Sequence, residues 1–275
     1  MPASEKNPTG YWESMSLVSF NMRILAAVGS DMRCPVAFER GWEGDHRLGG
    51  LRAEAPVVVL HVFPTAPWVW KDPRNCLTFA FWRSVLDVDP VVVLVNRNPL
   101  EIDASSHRTG NWESKIYALA LWERYLRQAL GQTAGLPMFV TNYRDLLAAP
   151  VEWSERVGDF LSAASVSVER PRENDIRGFV DGALRHSTFT REAFFSDPEV
   201  SDAQRALYCA LEQMEETPSG AATVPQLPYE TPTTETLLAE RRGDLQARDG
   251  VRCSRFRGPA RRVYATVRRL GRGAA

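Results

Sequence analysis

Residues 91–110 read VVVLVNRNPLEIDASSHRTG. The unbroken apolar run Val91–Val95 predicts a strand buried on both faces, as in a parallel sheet. Asn96-Arg97-Asn98-Pro99 then ends the strand, and Pro99 suits the first turn of a following helix. An arginine at the carboxyl end of a parallel strand lies where open α/β sheets bind ligands. Its planar fork suits a phosphate better than the point charge of a lysine does. Ser105 comes two helical turns later, so that Arg97 and Ser105 can reach one phosphate. A structural alternative fits the same residues: Arg97 pairs with Glu101 or Asp103 at the helix start. Spacing alone leaves both readings open.

Outward from this stretch, apolar strand-like runs alternate with amphipathic helices. Residues 57–63, bounded by Pro56 and Pro64, read as a strand, and 68–71 as a second short apolar piece. Residues 77–86 predict a compact helix. Residues 112–130 predict the longest helix, with Ile116, Leu119, Ala120, Tyr125 and Leu126 in its apolar stripe. Residues 138–141 predict a strand and 153–161 a helix after Pro150. Strand, crossover helix and strand at this spacing imply a mainly parallel α/β sheet covered by helices in three layers. Ahead of it, Leu17, Phe20, Ile24 and Leu25 predict a helix over 14–28 that Gly29 ends. Residues 201–214 predict another helix. The division expected is a domain over 1–214, a Pro/Thr-rich linker over 215–233 and an Arg-rich, partly helical tail over 234–275, with helices near 237–245 and 260–270.

Composition narrows the function classes. The chain has 275 residues, 44% of them hydrophobic and 24% charged, which supports a sizeable core. No apolar run is long enough to cross a bilayer, and no basic-then-apolar leader opens the sequence, so a cytoplasmic protein is expected. The four cysteines (34, 76, 209 and 253) are dispersed without a CxxC pair, and the four histidines are equally scattered. Neither a disulfide scaffold nor a metal site is therefore expected. The net charge of -1 hides a split: residues 1–240 carry 22 basic and 32 acidic side chains, and residues 241–275 carry 11 arginines and 2 aspartates. A weak contact with an anionic surface is the expectation for this tail, without sequence-specific nucleic-acid recognition, because it contains no recognition motif.

A second informative segment is Trp68–Leu77, WVWKDPRNCL. Lys71 is one of three lysines in the chain. At the end of a short apolar piece it can neutralise a transferring anionic group. Asp72 is placed to cap a helix that starts at Pro73. Arg74, in the first turn, opposes the helix dipole and calls for a carboxylate or ligand partner.

These two segments, in this order, resemble the bacterial sulfotransferase family, whose members have a P-loop-type α/β fold and use 3′-phosphoadenosine 5′-phosphosulfate (PAPS) as donor. The resemblance runs from Asn7 to about Arg191. NPTGYWES at 7–14 looks like the turn after the P-loop. Residues 68–77 are similar to the family's Lys-Asp-Pro-Arg segment, and 91–105 to its 3′-phosphate segment. NYRDLLAAP at 142–150 resembles a Tyr-Glu-Asp-Leu segment, with Arg144 in place of the usual acid. FVDGALRH at 179–186 resembles the late Leu-Arg-His segment. Family members open with a strand and a loop of the form Gly-x-x-Arg-Ser-Gly-Thr, which this sequence does not contain. The expectation is a domain truncated before that loop.

The resemblance implies sulfuryl transfer from PAPS to a hydroxyl acceptor: a carbohydrate, a lipid or a small molecule. The alternative it leaves is an inactive remnant, or a nucleotide-binding module that keeps the 3′-phosphate half-site. It assigns Arg97, Ser105, Tyr143 and Arg185 to the donor nucleotide, Lys71 to charge on the transferring group, and Glu13 to the acceptor's proton. His107 and His186 are rival bases. Trp12, Trp68, Trp70, Phe81 and Trp82 read equally well as acceptor lining and as core.

Overall fold

The computed structural model describes residues 12–108, 114–180, 188–216, 225–227 and 229–247. Its helices are α1 Met15–Ala27, α2 Gly49–Val62, α3 Asn75–Val85, α4 Pro99–Arg108, α5 Lys115–Thr133, α6 Tyr143–Ala148, α7 Pro150–Ala163, α8 Glu173–Phe179, α9 Arg191–Ser196 and α10 Asp202–Glu216. Residues 232–247 form a further helix, α11. The strands are β1 Val92–Asn96 and β2 Met138–Asn142. They pair in parallel, with Val92 opposite Met138 and Asn96 opposite Asn142. The fold is mixed α/β and mostly helical.

The central alternation is as the sequence predicts. β1 runs into α4 through Asn98, whose Oδ1 accepts the Leu100 amide at 3.0 Å, and Pro99 opens the helix. The helix expected over 112–130 is α5, capped by the Ser114 hydroxyl accepting from the Tyr117 amide. α1 ends in a Schellman arrangement: the Ser30 amide reaches the Leu25 carbonyl and the Gly29 amide that of Ala26. Gly29 supplies the positive φ of 76° this needs.

The expected strand at 57–63 is instead the second half of α2. Leu51, Ala55 and Val59 recur every four residues and are buried against α1 and α3 with Phe20, Phe81 and Trp82. That spacing stacks them on one helical face. Packing on that face overrides both the β-branched run and Pro56 inside the helix. Residues 68–71 are irregular rather than a strand. The broad parallel sheet is thereby reduced, among the described residues, to two strands.

Two larger cores result. One joins β1 and β2 to α4, α5, α9 and α10 through Leu94, Trp122, Leu130, Val140, Phe194 and Leu207. The other joins α1, α2 and α3. The sheet has helices on both faces. On one, the Trp122 indole N–H of α5 bonds Asn96 at 3.2 Å. On the other, α7 covers β2, with Phe160 against Phe139 and the Trp153 indole N–H bonded to Thr141 at 2.9 Å.

The Arg-rich tail expected from 234 onward is docked over its described part. Thr234 and Leu238 of α11 are fully buried. Leu238 packs with Cys34 and Tyr117. The linker reading rested on prolines and threonines, which mark an irregular chain but not an unattached one. The helix expected near 260–270 lies outside the described residues.

Candidate functional site

Two polar clusters bring predicted residues together. The first joins the start of α1 to the approach to α3. Glu13 is buried, its side chain only 5% exposed, and its Oε1 accepts from Lys71 Nζ at 2.7 Å. Lys71 keeps 59% of its side chain in solvent. Arg74 Nη1 lies 3.8 Å from the other Glu13 oxygen and donates to Asp72 Oδ1 at 2.8 Å. Asp72 Oδ1 also accepts the Arg74 amide at 2.9 Å, holding the turn that leads into α3. Arg74 thus has the carboxylate partners that its place in the first turn requires.

Beneath this cluster lies Asn21, a residue the sequence reading passed over. Its Nδ2 donates to Asp72 Oδ2 at 3.0 Å and Asn75 Oδ1 at 3.1 Å, and its Oδ1 accepts from the Thr78 hydroxyl and the Trp82 indole. All its polar groups are used, as a fully buried amide demands. Asn21 sits between Leu17 and Ile24 on the apolar face of α1, and a polar residue on that face is the signal a sequence offers for such a partner.

The second cluster stands at the carboxyl end of the sheet. Arg97 Nε donates to Glu101 Oε2 at 3.1 Å, so the structural pair read from the sequence is present. The guanidinium carbon also lies 4.8 Å from the centre of the Tyr143 ring, at the start of α6. Among the described residues neither terminal nitrogen of Arg97 takes part in a hydrogen bond, and the side chain remains 27% exposed. Glu101 is buried and accepts the Phe189 amide on its other oxygen at 3.3 Å. Ser105 continues the Arg97, Glu101 row at four-residue spacing on α4, half-buried. The geometry therefore joins Arg97 to Tyr143 and Glu13 to Lys71. Arg185 and His186 lie outside the described residues. His107 Nε2 sits 3.2 Å from Asp103 one turn back on α4.

Beyond Tyr143 lies an acid pair with no precedent in the sequence reading. Glu215 of α10 accepts the Asn142 amide at 2.7 Å. Burial, with Asp145 adding to it, raises the Glu215 carboxyl to about 7. No local pattern joins 145 to 215; only the packing of α10 on β2 does.

Other chemistry is narrowed. Burial pushes the Cys34 thiol up to about 11 and the Cys76 thiol up to about 12, which keeps both protonated and unreactive. Among the described residues no group of three His, Cys, Asp or Glu is placed to hold a metal, and no helix is long and apolar enough to cross a membrane. Of the aromatic candidates, Phe81 and Trp82 belong to the core and Trp68 and Trp70 pack on it. Trp12 is exposed, edge-on to Phe179. No family model, no curated protein and no solved structure matches the chain.

Proposed function

We propose that the chain is a sulfotransferase-type protein that binds the 3′-phosphate end of PAPS at the carboxyl end of β1 and transfers the sulfuryl group to a hydroxyl acceptor near Glu13 and Lys71. One observation carries this reading: Arg97 is fixed by Glu101 and Tyr143 while, among the described residues, its terminal N–H groups remain open. An arginine held on one edge and one face presents a preorganised fork to a phosphate, and tyrosine beneath it keeps the plane in place. On this reading the two strands belong to a sheet of the P-loop type. Among the described residues Cys34, Cys76 and Cys209 are free thiols, which fits a cytoplasmic protein.

The residues present fit the nucleotide half of the donor. Arg97 would hold the 3′-phosphate, with Ser105 beside it and Tyr143 near the nucleotide. Arg185 is assigned to the same phosphate by resemblance alone. PAPS supplies the transferable sulfuryl group. The chain's own part in transfer is to place Lys71 against the developing negative charge and to receive the acceptor's proton on Glu13. In-line transfer breaks the bond between the sulfuryl sulfur and the donor's bridging oxygen and forms one to the acceptor oxygen.

A second reading, nucleotide binding without transfer, is favoured by one detail. Glu13 Oε1 already accepts from Lys71, so the ammonium must swing away before that oxygen can take a proton. The two readings separate in an assay of labelled-sulfate transfer from PAPS to sugar, lipid and phenolic hydroxyls. The proposal expects turnover by the native chain and a loss of ~100-fold or more in Glu13→Gln and Lys71→Ala. Binding of adenosine 3′,5′-bisphosphate without turnover on any acceptor supports the second reading.

A further inference from the structure

The outer edge of β1 is unpaired among the described residues. Parallel pairing turns alternate amides toward β2: the Val92 amide bonds the Pro137 carbonyl at 2.9 Å, and the same register turns Leu94 and Asn96 inward. The N–H and C=O groups of Val93 and Val95 consequently point away from the sheet. Among the described residues nothing bonds their amides. The two residues are 38% and 44% exposed. They share a sheet face with Phe139 and Thr141 of β2, which α7 buries. One face of the sheet is thus covered over β2 and bare over β1.

Edges of this kind are ordinarily guarded by a charge, a proline or a bulge. β1 has none of these: residues 91–96 are VVVLVN, without a charged side chain. The nearest charges lie at its ends and differ in sign, with exposed Asp87 and Asp89 before the strand and Arg97 after it. A second copy running parallel would set acids beside acids. A second copy running antiparallel about a two-fold at Leu94 keeps the two acidic ends apart. That register places Val93 opposite Val95 of the other copy, where their outward amides and carbonyls exchange hydrogen bonds.

We infer that the β1 edge joins a second copy of this chain, making a four-stranded sheet with antiparallel β1 strands at its centre. The contact is independent of the activity proposed above. Arg97 leans toward Tyr143 at the end of β2, so pairing at the opposite edge leaves its fork accessible. Five residues of strand make a small interface, and interfaces below the standard size are weak. The expected dissociation constant is ~10–100 µM.

Sedimentation of the full chain across this concentration range is the test. The native chain should pass from monomer to dimer. Val95→Lys should weaken the dimer at least ~tenfold. Leu60→Lys, on the exposed face of α2, should leave it unchanged. Disulfide trapping guards against a variant that misfolds. Hydrogen-bonded antiparallel partners lie ~5.5 Å apart at Cα, within disulfide reach. Mixing Val93→Cys with Val95→Cys protein should give a 93–95 cross-link, identified by peptide mass, that neither variant gives alone. A native chain that stays monomeric throughout overturns the inference. So does a dimer that is indifferent to Val95→Lys and yields no 93–95 link.

Discussion

Two arginines of this molecule meet carboxylates in opposite ways. Arg124, on α5, is 0% exposed. Its Nε and Nη2 donate to both oxygens of Glu230, Nη2 also donates to Glu235, and Nη1 donates to the Pro35 carbonyl, each at 2.7 Å. Every edge of that guanidinium is used. Arg97, at the end of β1, has one bonded nitrogen, one covered face and two terminal nitrogens open among the described residues. Saturation marks the first as an internal clamp, and the open side of the second is what the proposed phosphate site rests on. Sequence position does not separate them: each follows an apolar stretch, and each has an acid within four residues.

Glu123, beside Arg124, is closed in the same manner. It is buried and accepts from Arg127, Gln204, the Thr231 amide and Thr234. Together Glu123 and Arg124 fasten the segment from 229 through α11 onto α5. The largest expected effect lies here. Arg124→Ala removes both donors of Glu230, while Glu235 and the Pro35 carbonyl keep Arg242, and losing those two charge-assisted bonds costs ~3 kcal/mol. Chemical denaturation should show a loss of that size. Deleting residues 229–275 should lower the melting temperature for the same reason. A deletion that melts like the full chain would mean the clamp holds nothing that matters, and the contrast with Arg97 would fail.

A smaller effect sharpens the comparison at the sheet end. The Glu215 carboxyl stands at about 7 in the fold, against an ordinary 4.5, because burial and then Asp145 disfavour its charge. The folded protein therefore holds that proton more tightly than the unfolded chain. The stabilisation is complete below about 4.5 and declines as pH rises through about 7. The groups facing it are Asp145 and Arg156, with the Asn142 amide bonded to it. Melting temperatures of native and Glu215→Gln protein should converge below about pH 4.5 and separate toward about pH 7 and above, with the variant the more stable. Parallel curves would remove Glu215 as a titrating group.

Much of the framework was legible in the sequence. The run at 91–95 and the turn after it fixed β1, Asn98 and Pro99 fixed the start of α4, and the stripe along 112–130 fixed α5. Residues 57–63 misled because β-branched composition outweighed the four-residue recurrence of Leu51, Ala55 and Val59, which only the packing of α2 on α1 brings out. The site was half legible. Lys71 and Arg97 stand out by type and placement, and Asp72 by its capping position. Asn21, Glu123, Arg124 and Glu215 are polar residues whose tertiary partners, the i+4 contact of Glu123 with Arg127 aside, lie 51 to 111 positions away. Their roles exist only once the helices are packed, so no local pattern announces them.

The central claim is that the open side of Arg97 takes a phosphate. Calorimetric titration with adenosine 3′,5′-bisphosphate, on native and Arg97→Ala protein, tests it most directly. Loss of a charge-assisted, two-pronged contact predicts ~1.5–3 kcal/mol, or roughly a tenfold to hundredfold weaker Kd, with the thermal stability of the variant little changed. Equal affinity in the two proteins, or no binding by the native chain, would contradict the claim and leave Arg97 as the helix-start partner of Glu101 alone.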